Sequence, residues 1–314
     1  MQQLRAMIFG GNGQDGQLIT KHLLDQRYQI YSLGRNFDNK HLNRIESEVK
    51  FIRADLLACD VEKLLDAYKP NLILYCAAFH GPSGTVYEDS VQHSLIINTM
   101  VPIKILEYCK SNIKTKFIYF NSSKIFNFSQ ALRISEKSDR VPSCIYSLEK
   151  EITYKALAHF RSQFGVSAYN FWFFNHESPL RPKPYFIPTL INILKQSINN
   201  PRYKGHVRSL DFYCDWGCAD EYMKNVVHLF ENFEADDYVI ASGKTLSGRE
   251  LAEKLFSLYA LDYRDHISPA MQHDDLPPDR WYADITKLID RSGVPLRSIF
   301  DVCDDFMDKG KLLG

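Results

Sequence analysis

The chain has 314 residues, 45% hydrophobic, 13% aromatic and 24% charged, with 38 basic side chains against 38 acidic and a formal net charge of +0. That is the make-up of a globular protein with enough chain for a large core, not of a disordered segment. The charge balance argues against general binding to nucleic acid or an anionic membrane, which needs a positive field, and no stretch approaches the roughly 18 apolar residues of a membrane helix.

In chain order, a short apolar strand at residues 6–9 runs into Gly10-Gly11-Asn12-Gly13-Gln14-Asp15-Gly16 and an amphipathic helix at 17–26. Strands are then expected at 29–33, 50–53, 72–76, 117–120 and 167–173, with crossover helices at 61–68, 91–110 and 147–162. Strands separated by helices in this way predict an α/β fold with a doubly wound parallel sheet. From about His176 prolines appear and helices dominate, at 188–197, 219–233, 248–259 and 296–309. The division expected is therefore a dinucleotide-binding domain over 1–175 and a smaller, mainly helical substrate-binding region over 176–314, some of whose segments return to the sheet. Ligands of open α/β sheets bind at the carboxyl ends of the strands, beneath such a region. Seven scattered cysteines without a C-x-x-C pair, and a start lacking the pattern of a secretory leader, point to free thiols, no metal site and a cytoplasmic protein.

Glycines after the first strand let the backbone turn tightly and come within contact distance of a pyrophosphate, while the helix N-terminus offers unpaired N–H groups and partial positive charge. Two spacings fit: Gly11, Gly13 and Gly16 as G-x-G-x-x-G, or Gly10, Gly13 and Gly16 as G-x-x-G-x-x-G. The second strand ends in Gly34-Arg35-Asn36 where an NAD site usually has an acidic residue, and a guanidinium suits a 2′-phosphate, so NADP is favoured with NAD as the alternative. Further on, Tyr146 and Lys150 stand four apart at the start of a helix and share a face. A lysine cation beside a phenol favours the phenolate and brings it toward service as a base. Strand 117–120 ends in Asn121-Ser122-Ser123, and the Ser122 hydroxyl would orient a substrate alcohol.

With these motifs in place, the chain resembles the extended short-chain dehydrogenase/reductase superfamily, whose members have the Rossmann fold and rework nucleotide sugars, and within it the GDP-mannose 4,6-dehydratase branch. The resemblance runs from Met7 to about Lys287 and is carried by Gly10–Gly16, by Ala54-Asp55-Leu56, by Cys76-Ala77-Ala78 and by Ser122 with Tyr146 and Lys150. Two strings are more specific, Phe174-Asn175-His176-Glu177-Ser178-Pro179 and Asp215-Trp216-Gly217 with Ala219-Asp220-Glu221-Tyr222. It implies that Gly10, Gly13, Gln14, Asp15 and Gly16 hold the pyrophosphate, Arg35 the 2′-phosphate, and Asp55 and Leu56 the adenine. Ala77 and Ala78 would line the cofactor path, His176 and Arg181 would touch the cofactor, Tyr146 and Lys150 would serve both catalysis and the nicotinamide ribose, and Asn175 would face the sugar diphosphate. It also implies a homodimer or homotetramer.

The branch pattern breaks at the substrate. Lys124 stands where the family carries a glutamate that moves protons during loss of water, and a lysine near its reference pKa of about 10.4 is protonated. Cys214 replaces an arginine before Asp-Trp-Gly, and Leu190 replaces a lysine; Arg208 or Lys204 could compensate, so a GDP carrier is only weakly implied. The function expected is NAD(P)-dependent hydride exchange at C4 of a nucleoside-diphosphate sugar, with Lys124 and Arg208 on the substrate. Full 4,6-dehydration, C4 epimerisation, and a catalytically silent nucleotide-binding relative are the alternatives.

Overall fold

The computed structural model describes residues 3–36, 48–80, 90–128, 132–271, 280–293 and 296–308. Strand β1 (Arg5–Phe9) leads through the glycine loop into α1 (Gln14–Asp25) and β2 (Gln29–Gly34), followed by β3 (Val49–Arg53), α2 (Val61–Tyr68) and β4 (Leu72–Tyr75). Helix α3 (Val91–Leu95) passes through a π-turn (Ile96–Met100) into α4 (Val101–Ser111), and β5 (Lys116–Ser122), the short β6 (Arg133–Ile134), α5 (Ile145–Phe164) and β7 (Ala168–Phe173) come next. Then follow β8 (Asn175–Glu177), α6 (Phe186–Asn199), β9 (Gly205–Val207), β10 (Tyr213–Cys218), α7 (Ala219–Asn232) and β11 (Asp237–Ile240). The remaining elements are β12 (Thr245–Ser247), α8 (Gly248–Ser257), α9 (Tyr263–His266), β13 (Ile267–Pro269), β14 (Tyr282–Ala283), α10 (Thr286–Ser292) and α11 (Ile299–Met307).

The central sheet has seven strands in the order β11-β7-β5-β4-β1-β2-β3, every pair parallel. Apolar residues cover both its faces, as a parallel sheet between helix layers requires. Ala6 and Ile8 of β1 pack with Leu18, Ile19 and Leu23 of α1 and Met223 and Val226 of α7. Met7 and Phe9 face the other way, onto Leu65 of α2, Ile105 and Leu106 of α4, and Leu157 of α5. The strand order reverses between β1 and β4, which opens the crevice where a doubly wound sheet takes its ligand.

Four features differ from the sequence-based expectation. A seventh strand, β11, comes from beyond residue 176 and pairs with β7, from Asp237 against Asn170 to Ile240 against Phe173; its four residues are too short a run to separate from the adjoining helix by pattern. Helix α1 begins at Gln14, not at 17, because Gly16 packs inside its first turn: a Cβ there would meet Gly10 O at 2.5 Å. The helix expected over 91–110 is broken by the π-turn at Ile96–Met100. The last helix starts at Ile299, and Lys309, the expected end, lies outside the described residues.

Beyond β7 the expected helices α6, α7, α8 and α11 are joined by small sheets. β12, β10 and β8 form one, and β13 with β9 another. The core here is Leu190, Leu194, Trp216, Leu251, Phe256 and Val302. β8 lies parallel to β10, with Trp216 opposite Asn175 and Gly217 opposite His176, so two strings about forty residues apart stand side by side. Among the described residues no helix is long and apolar enough to cross a membrane.

Candidate active site

The phosphate loop is shaped by contacts that leave no room for side chains. Gly10 takes φ +83°, and a Cβ on it would meet Ala77 N at 2.7 Å; on Gly11 a Cβ would reach Ser32 Oγ at 1.9 Å. Gly13 has only Gly10 O at 3.3 Å, and it caps α1 without a side-chain bond, leaving the first-turn N–H groups for a ligand. Both glycine spacings read from the sequence are thus occupied by crowded positions, Gly10 against β4 and Gly11 against β2. This cradle fits the pyrophosphate of a dinucleotide.

The first turn of α1 is tied to β8 by a closed polar network. His176 Nδ1 donates to Phe174 O at 2.7 Å and Nε2 to Asp15 Oδ1 at 2.9 Å. Gln14 Nε2 donates to Asp15 Oδ1 at 3.1 Å and to His176 O at 3.2 Å, and Ser178 Oγ donates to Gln14 Oε1 at 2.9 Å. Arg181 Nη2 donates to His176 O at 2.6 Å, its Nε lies 3.4 Å from Glu177 Oε2, and its guanidinium stacks 4.7 Å from the Tyr185 ring centre. Burial alone would raise the Asp15 pKa, but the charge and hydrogen bond of His176, with the charge of Arg181, hold its carboxyl well below the usual range. Burial raises that of Glu177.

Tyr146 and Lys150 lie in the first two turns of α5. Lys150 is buried, donates to Phe120 O at 2.7 Å, and sits 5.8 Å from the Tyr146 ring centre. Burial pushes its pKa down to about 7, against Cys76 and Glu149, which raise it. Ser122, the last residue of β5, accepts from Lys124 N at 3.2 Å, and Lys124 Nζ donates to His80 Nε2 at 2.9 Å. The His80 ring in turn stands edge-on to Tyr146, with centroids 4.1 Å apart. Burial lowers the Lys124 pKa.

Gly10, Gly13, Gln14, Asp15, Gly16, Ala78, Ser122, Lys124, Tyr146, Lys150, Asn175, His176, Arg181 and Arg208 all line one cavity of about 1200 Å³. Arg35, Asp55, Leu56, Ala77 and Lys204 are not on its wall. Arg35 is exposed just past β2, where Asn12 Nδ2 donates to Asn36 O at 2.6 Å; Asp55 Oδ1 accepts from Leu57 N at 3.1 Å in the turn after β3. Cys214 is on the wall, whereas Leu190 is buried in the core of the substrate-side region.

Sequence reading missed His80, for which an isolated histidine after β4 gives no signal. It also missed the π-turn residue Asn98, whose side chain ties Phe79 to the buried Glu149: Phe79 N donates to Oδ1 at 2.9 Å, and Nδ2 donates to Glu149 Oε2 at 2.8 Å. Thr153 Oγ1 donates to Asn98 O at 2.8 Å, so the turn pins α5, and with it Tyr146, to the end of β4. π-turns of this kind are frequent at functional sites.

The family model for GDP-mannose 4,6 dehydratase matches residues 7–280. The GDP-mannose 4,6-dehydratase of Sinorhizobium fredii is 26% identical over 80% of this chain and 75% of its own length. The human GDP-mannose 4,6 dehydratase is 25% identical over 80% and 71%. Among solved structures, a dTDP-glucose 4,6-dehydratase from Bacillus anthracis in complex with NAD superposes with TM-score 0.80 at 14% identity, covering 98% of both chains. A UDP-glucuronic acid 4-epimerase from Bacillus cereus, with UDP-glucuronic acid and NAD, gives 0.78 at 20% identity, covering 99% of this chain and 100% of its own. At these identities the two structures speak for the fold.

Proposed function

The chain belongs to the GDP-mannose 4,6 dehydratase family of nucleotide-sugar enzymes, and from that premise we propose that it is an NAD(P)-dependent enzyme exchanging hydride at C4 of a nucleoside-diphosphate sugar. The observation that carries this is the pairing of Tyr146 with the buried Lys150 on the wall of a cavity that also reaches the phosphate loop. A cavity of about 1200 Å³ suits the working half of a dinucleotide together with a sugar nucleotide. When bound, a nicotinamide supplies the hydride acceptor or donor. Tyr146 as phenolate takes the proton of the C4 hydroxyl, Lys150 favours the phenolate by its charge, and Ser122 orients the hydroxyl. Gln14, Asp15, His176 and Arg181 brace the loop that carries the pyrophosphate.

Finer readings follow from single residues. Arg35, exposed at the carboxyl end of β2, supports NADP over NAD, since a guanidinium pairs with a 2′-phosphate and an acid would repel it. The acids on the cavity wall each have a neighbour, Asp15 with His176, Glu177 with Arg181, and Asp215 with Ser242 N at 2.8 Å. With Lys124 in the glutamate's place, the reading we favour retains the C6 oxygen, the product being a 4-keto, reduced or C4-epimeric sugar. Full dehydration is the second reading, favoured by the family match, and burial moves the Lys124 ammonium toward releasing its proton. Arg208 on the wall supports a diphosphate subsite without selecting a nucleoside. Exposed Leu148 and Ile152 on α5, with Leu95 and Met100 on the neighbouring helix segments, support pairing of two copies through this face. Seven free thiols suit a reducing cytoplasm.

The test is a panel of GDP-, UDP-, dTDP- and CDP-sugars offered with NADP or NAD, with products weighed by mass spectrometry. Oxidised or epimerised sugar of unchanged oxygen count is expected. Loss of one water would establish the second reading, and no turnover with any sugar would leave the silent relative.

A further inference from the structure

We propose that Lys124, steadied by His80, selects a sugar that carries a carboxylate on C5, so that the substrate is a nucleoside-diphosphate hexuronate. The inference rests on the C4 hydride reading above and names the substrate within it.

Position comes first. Lys124 follows Ser122 by two residues and its N–H is bonded to the Ser122 hydroxyl, so its place relative to the alcohol-orienting group is fixed by backbone. Its ammonium meets His80, and His80 meets Tyr146, so the cation stands beside the site where the C4 oxygen is held. The substituents on C3 and C5 are the neighbours of that oxygen on the ring, and of the two it is the exocyclic carbon on C5 that a hexuronate carries as a carboxylate. The diphosphate on C1 is across the ring from C4, and Arg208, also on the cavity wall, is a guanidinium that could receive it.

Charge comes second. Lys124 is only partly exposed, and among the described residues it makes no ion pair; its hydrogen-bond partner is an imidazole nitrogen, and the Cys144 thiol is the nearby group that favours its charge against burial. A partly desolvated cation is costly unless an anion answers it. The acids of the cavity wall are held elsewhere, Asp15 beside His176, Glu177 beside Arg181, and Asp215 through Oδ1 on Ser242 N, and among the described residues none of them is paired with Lys124. A hydroxymethyl group on C5 would leave the ammonium uncompensated, whereas a carboxylate completes it with a charge-assisted hydrogen bond.

The experiment uses the full chain with saturating NADP or NAD and two matched pairs of sugars, UDP-glucose with UDP-glucuronate and GDP-mannose with GDP-mannuronate. Within a pair, kcat/KM for the hexuronate is expected to exceed that for the hexose by roughly 10- to 100-fold, the range of one hydrogen bond to a charged group. Lys124→Met should bring that ratio toward one, chiefly through KM, and Lys124→Arg should keep most of it; Lys124→Gln replaces the methionine variant if that one melts early. A wild-type ratio at or below one, or a ratio indifferent to Lys124→Met, overturns the proposal. If no sugar in the panel is turned over, it is the hydride reading that fails, and equilibrium binding of the same pairs to wild type and Lys124→Met then decides the inference by the same ratio.

Discussion

The two ends of the cavity are built differently. At the phosphate loop, Asp15, Gln14, His176, Ser178 and Arg181 bond one another in a closed network, and glycines pack against backbone with no space to spare. At the other end, among the described residues, Lys124 Nζ meets the His80 ring and makes no ion pair, and Ser122 and Tyr146 also line the wall. A closed network holds one shape whether or not a ligand is present, as a cofactor shared by many enzymes requires. A side chain outside such a network is free to be completed by a substrate, which is where specificity is expressed.

The contrast is most sharply tested at the reacting hydroxyl. Tyr146→Phe should lower turnover by about 10³-fold, within the range for loss of a general acid–base group, while leaving cofactor affinity measured by fluorescence titration little changed; full retained activity would end the enzyme reading. Gly16→Val should lower cofactor affinity by about 100-fold, roughly 2.7 kcal/mol, because its Cβ would meet Gly10 O and Gly11 Cα at 2.5 Å; unaltered binding would show that the loop yields where it should not. For Lys150→Met, thermal melting is the readout. Since folding depresses the ammonium to about 7, wild-type stability rises with pH from there toward the unfolded value, so the variant's relative gain should be greatest at pH 6 and shrink by pH 9.

Asp15→Asn probes the closed network itself. The carboxyl's pKa is depressed by folding, so its contribution is present above the ordinary carboxylate range and lost as pH falls below it. Urea unfolding at pH 7 should show a loss of about 1–3 kcal/mol, and the difference from wild type should narrow below pH 4; a difference that holds steady with pH would mean that shape, not charge, is what Asp15 supplies. The smallest effect on chemistry is expected from Leu148→Lys, on the exposed face of α5. It should move the protein toward the monomer in light scattering with turnover per chain largely kept, and an unmoved mass would place the contact elsewhere.

Much of the fold was legible because its signals are local. The glycine run, the apolar strands at their crossover spacing, and Tyr146 four residues before Lys150 each declare themselves within a few residues. The π-turn at Ile96–Met100 was not legible, since the residues there read as ordinary helix and the wide turn is set by Asn98 reaching Phe79 and Glu149. The seventh strand was hidden for a similar reason: Asp237–Ile240 becomes a strand by pairing with β7.

By itself, then, the sequence determined the α/β class, the phosphate loop and the tyrosine–lysine pair, because backbone propensity and short-range spacing act along the chain. The fold alone decided that Asp15 would meet His176 from 161 residues away, that His80 would stand between Lys124 and Tyr146, and that Arg208 rather than Lys204 would reach the cavity. Those meetings depend on which strands become neighbours and how closely they pack, and a side chain's charge acquires a partner only once that has been settled.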